Sequence, residues 1–99
     1  MTSNVVEVLG GVTQGHGLTV EVRWVDPQTG AASDVPLATA ELGGLFGAPT
    51  GWQSGAWSSV LPLTPAEIYQ IDFVASPNVF TFPASYPLVS FPLSIADAA

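Results

Sequence analysis

Few side chains in this chain are equipped for chemistry. It has one histidine, His16, no cysteine, and eight carboxylates against a single basic residue, Arg23. A transition-metal site needs several imidazole or thiolate ligands, and one histidine cannot supply them. The carboxylates Glu7, Glu21, Asp26, Asp34, Glu41, Glu67, Asp72 and Asp97 are scattered, with no EF-hand spacing among them. Asp26 and Asp34 could meet across a turn around a weakly held Ca²⁺, although turn capping is the commoner work of such residues. A Ser-His-Asp set would have to use His16 as its base. Set between Gly15 and Gly17, that ring would be poorly held. Gly51-Trp52-Gln53-Ser54-Gly55 carries its serine one position late for a nucleophile elbow. No glycine run cradles a phosphate, and nothing brings two carboxylates together for glycoside chemistry. The reading is a non-enzymatic chain with no catalytic residue, cofactor or metal.

The aromatic residues are the remaining candidates. Trp52 and Trp57 flank a Gly-Ser turn. Exposed, they could stack on sugar rings or anchor a protein interface; buried, they are packing. Three aromatic-proline pairs follow: Phe82-Pro83, Tyr86-Pro87 and Phe91-Pro92. A residue before proline avoids the helical region, and proline cannot donate to a ladder. The segment 77–95 is therefore extended and belongs to an edge, a bulge or an arm. It carries no charge from 78 to 95. An apolar edge without charge needs a cover, either the protein's own loops or a neighbouring subunit, and in the second case Phe82, Tyr86 and Phe91 are candidate interface residues.

Composition narrows the partners. Charged residues are 9% of the chain, against about 25% in an average globular protein, and the net charge is −7. Such a surface repels phosphate backbones and anionic headgroups, so neither nucleic acid nor membrane is an expected partner. Apolar residues make up 47% of the 99 residues, one domain's worth spanning 1–99. A domain this small has much surface for its core, so part of that apolar content should lie outside, where it usually meets another protein. The expected partner is a second copy or a larger protein lattice. Residues 1–7 lack the basic and long apolar regions of a signal peptide, so none is expected, and no apolar run approaches the ~18 residues of a membrane span. The chain is expected to be made in the cytoplasm and to leave it, if at all, inside a particle such as a virion.

Ten glycines and nine prolines leave little room for long helices. Residues 4–9 read as a first strand, with turns at Gly10-Gly11 and Gly15-His16-Gly17. In 18–25, Leu18, Val20, Val22 and Trp24 alternate with Thr19, Glu21 and Arg23, the period of a strand with one buried face. Asp26-Pro27-Gln28-Thr29-Gly30 turns the chain into a return strand over 33–37. Residues 34–44 suit a strand and loop, but Asp34 as a cap, Pro36 in a first turn and Gly43 as a stop favour a short helical turn. Residues 43–55 read as an ordered loop, and 57–63, 68–75, 79–82 and 88–95 as strands, with a turn at Ser76-Pro77-Asn78 and a tail at 96–99. About seven short strands at regular spacing predict an all-β fold, a small antiparallel sandwich or barrel.

Leu63-x-Pro65-x-x-x-Tyr69, continued by Gln70-Ile71-Asp72-Phe73, resembles the tyrosine corner of fibronectin type III and related immunoglobulin-like sandwiches. The resemblance implies that the Tyr69 hydroxyl bonds backward to the backbone and pins a crossing between sheets. Residues 18–24 look like the family's early strand that ends in a core tryptophan, here Trp24. Thr64-Pro65-Ala66-Glu67 is also a capping box, which would make one helical turn instead. Such sandwiches host many functions. The profile as a whole points to a structural assembly protein, such as a small capsid-decorating (cement) or tail protein of a phage. A carbohydrate- or protein-binding module using exposed tryptophans is the alternative.

Overall fold

The computed structural model describes residues 2–9, 17–43, 52–75, 78–85, 89–90 and 93–96. They form eight strands: β1 (Thr2–Leu9), β2 (Gly17–Trp24), β3 (Ala38–Gly43), β4 (Trp52–Pro62), β5 (Ile68–Ala75), β6 (Asn78–Ser85), β7 (Val89–Ser90) and β8 (Leu93–Ala96). The fold is all-β. Sheet one has the order β4-β1-β8-β7 and sheet two the order β3-β2-β5-β6, and every pairing is antiparallel.

Alternation places the core between the sheets. Leu18, Val20 and Val22 of β2 are buried, as are Ala38, Ala40 and Leu42 of β3, Tyr69, Ile71 and Phe73 of β5, and Val6 and Val8 of β1. At roughly 25 cal/mol per Å² of apolar surface, each of the larger side chains contributes about 1.5–3 kcal/mol when fully buried. β4 breaks the period. Ser3 faces Leu61 but Val5 faces Ala56, so β4 bulges between them. The bulge lets Trp57 and Leu61, four residues apart, both point inward while 58–60 stay exposed.

The two sheets are stitched along one side. Outward-facing amides of β3 would otherwise be an open edge. Thr39 N–H instead donates to Ser58 Oγ (3.1 Å), and Ser59 Oγ donates to the Leu37 carbonyl (3.5 Å). Gly55 makes this approach possible: a Cβ there would lie 2.8 Å from Leu42 Cγ and 3.2 Å from the Glu41 carbonyl oxygen.

Several expectations change here. Residues 38–43 are a strand, not a helical turn, because six residues of β3 pair in register with β2. That ladder outweighs the helix caps read at Asp34, Pro36 and Gly43. The return strand also starts later than 33–37. That stretch is held by single bonds, Ser33 N–H to the Trp24 carbonyl and Leu37 N–H to the Val22 carbonyl. The Asp26 turn is as expected: Asp26 Oδ1 accepts from Gln28 N–H (2.8 Å), and Gly30 takes a positive φ of 73°. The strand expected from 57 begins at Trp52, at the end of what was read as a loop. Pro83 lies in an edge strand, as its chemistry requires. The turns read at Gly10-Gly11, His16 and Ser76-Pro77, the loop at 44–51, and Tyr86, Pro87, Phe91, Pro92 and the tail 97–99 lie outside the described residues.

Candidate functional site

The β4–β5 turn and the end of β2 build a cleft at one end of the sandwich. Ala66 holds φ at 70°, a left-handed conformation incompatible with a helical turn, so the capping-box reading fails. Glu67 N–H closes the turn on the Thr64 carbonyl (3.3 Å). Two residues after Glu67, Tyr69 is buried and its hydroxyl accepts from Thr64 N–H at 2.8 Å. The bond runs back to the backbone five residues upstream.

Across the ladder, Tyr69 is the register partner of Trp24. Trp24 is the last residue of β2, and it is 37% exposed. It is therefore a rim residue and not the core tryptophan expected. Its indole N–H donates to Glu67 Oε2 at 2.8 Å. With Leu37, Pro62 and Thr64, these residues line an open cleft of about 270 Å³. An indole, a tyrosine ring, a leucine and a proline form its walls, and one carboxylate stands at its rim.

A second cluster lies on β2 and β5. The Arg23 guanidinium donates to the carbonyls of Ser33 (2.9 Å) and Asp34 (2.6 Å) and to Glu21 Oε1 (2.8 Å), and lies 3.4 Å from Asp72. Asp72, itself buried, also accepts from Gln70 and Thr81. This network ties the 33–34 segment to the sheet. All three guanidinium nitrogens of Arg23 are engaged within the fold.

The tryptophans read as candidates separate. Trp52 is 47% exposed at the start of β4. Trp57 is buried, and its indole N–H donates to Ser3 Oγ (3.1 Å), which in turn donates to the Val5 carbonyl (3.1 Å). The packing alternative is thus the one Trp57 takes, and the two rings form no shared platform. Phe82 lies in β6 with Ile71 as its register partner. No cluster of three His, Cys, Asp or Glu side chains able to hold a metal occurs among the described residues. No helix among them is long and apolar enough to cross a membrane.

Trp24 and Glu67 were missed as site residues because each fitted a local role, one as core and the other as cap. Only the β2–β5 register brings residues 43 apart in sequence into one cleft. No family model, no curated protein and no solved structure matches this chain.

Proposed function

We propose that this protein is a non-enzymatic structural subunit of a larger symmetric assembly, such as a capsid-decorating or tail protein of a phage particle. One observation carries the reading. On one side of the sandwich the edges β3 and β4 are stitched together. On the other side the edges are β6 and β7, and both come from the uncharged run 78–95. Among the described residues β6 pairs with β5 alone and β7 with β8 alone. Val79 on β6 is 58% exposed. Natural sheets usually guard an open edge with charge, and this one has none. A strand edge kept neutral in a chain of net charge −7 is where neighbours can approach most closely.

The same proposal includes kinship with immunoglobulin-like sandwiches. The Tyr69 bond supports it, while the exposed Trp24 stands apart from the family's core tryptophan. The binding-module alternative has less support, because Trp57 is buried.

Light scattering on the purified chain across a concentration series tests the assembly. The expected result is a trimer or larger species whose mass falls on Val79→Lys, which places a charge on the β6 edge. A monomer at every concentration overturns self-assembly through these edges.

A further inference from the structure

The end cleft has a chemistry of its own, and three observations define its ligand. Its walls are rings and aliphatic groups, with Trp24 presented at the rim. The partner of Glu67 is a neutral indole N–H, which positions the carboxylate without cancelling its charge. Arg23, the one basic side chain among the described residues, is taken up by Glu21, Asp72 and two carbonyls. An indole beside an uncompensated carboxylate is suited to a cation, because the negative face of the ring and the carboxylate attract the same charge. The net charge of −7 adds to that attraction from a distance.

We infer that this cleft receives a lysine or arginine side chain from a different protein. Size argues for a side chain rather than a free small molecule. At about 270 Å³ the cleft lies below the roughly 300–1,000 Å³ of pockets that enclose drug-sized ligands, and it is open at the rim. Its occupant must bring further contacts on its own backbone. A second copy of this chain is a poor source, since its one Arg is already held within the fold. The inference rests on the assembly reading and names one class of partner for it: a protein that presents a basic residue to the end of the sandwich.

The test is an NMR titration that follows the Trp24 indole N–H. The probe is acetyl-Gly-Gly-Lys-Gly-Gly-amide or its arginine analogue, and the control is the peptide with neutral norleucine in place of lysine. The basic peptides should give a saturable shift, and the norleucine peptide should bind about tenfold more weakly or worse. Glu67→Gln keeps an oxygen that can accept from Trp24 but removes the charge, and it should weaken the lysine peptide by a similar factor. Added salt should weaken it too. Equal binding of the norleucine peptide overturns the inference. So does an unchanged affinity in Glu67→Gln, a shift caused by glucose instead, or no shift up to the solubility limit of the basic peptides. A monomeric mass in light scattering leaves this titration untouched, so the cleft and the assembly can fail separately.

Discussion

Ser3 and Trp57 show how much one small polar residue controls at the residue scale. Ser3 is fully buried, and its hydroxyl both accepts from the Trp57 indole and donates to the Val5 carbonyl. The pair sits where β1 crosses the bulge of β4, so the bond aims the largest core side chain inward. Replacing Ser3 with Ala removes the acceptor and leaves a buried indole N–H unpaired. That costs about 1–3 kcal/mol, because the donor has lost water without a replacement. The expected result is a fall in melting temperature of roughly 4–8 °C per kcal/mol, read by calorimetry. No change in melting temperature would mean that the Ser3 bond is not holding the indole.

The seam between β3 and β4 is the element on which the sandwich closes, and it depends on Gly55. Gly55→Ala places a methyl group against Leu42 Cγ and the Glu41 carbonyl, and the carbonyl belongs to a backbone that is itself in a ladder with β2. Overpacking of this kind costs about 1–3 kcal/mol. The amide of Thr39, bonded to Ser58, should lose hydrogen-exchange protection more than the amides of β5 at the centre of its sheet. Equal loss everywhere would show that the seam does not open by itself. The sequence foretold this level of structure unevenly. β2 was legible because alternation and a two-sided environment coincide in it. β3 was not, because Asp34, Pro36 and Gly43 are local helix signals and the opposing force is a ladder with residues up to 26 positions away. The burial of Trp57 against the exposure of Trp52 depends on a bulge, and a bulge leaves no periodic trace. The cleft was illegible for the same reason as β3: it exists only through a register.

Charge is the property that acts over the whole molecule, and it separates the two contacts proposed above. The chain measures 43 × 32 × 22 Å and carries a net charge of −7. At about 0.01 M salt the screening length is about 30 Å, comparable to the molecule itself, so two copies repel over their full width; at about 0.15 M it is about 8 Å. Neutral edges gain nothing from that field, so raising salt removes repulsion and leaves their apolar and backbone contacts intact. Self-association through β6 and β7 should therefore strengthen as salt is raised across this range, seen as a rising mass in light scattering at fixed concentration. A basic side chain in the Trp24–Glu67 cleft should respond in the opposite sense, since screening weakens an attraction between unlike charges. Should the mass instead fall with added salt, ion pairs would be holding the copies together. Arg23, the one basic side chain among the described residues, would then have to leave its network to make them, and the uncharged edges would not be the interface.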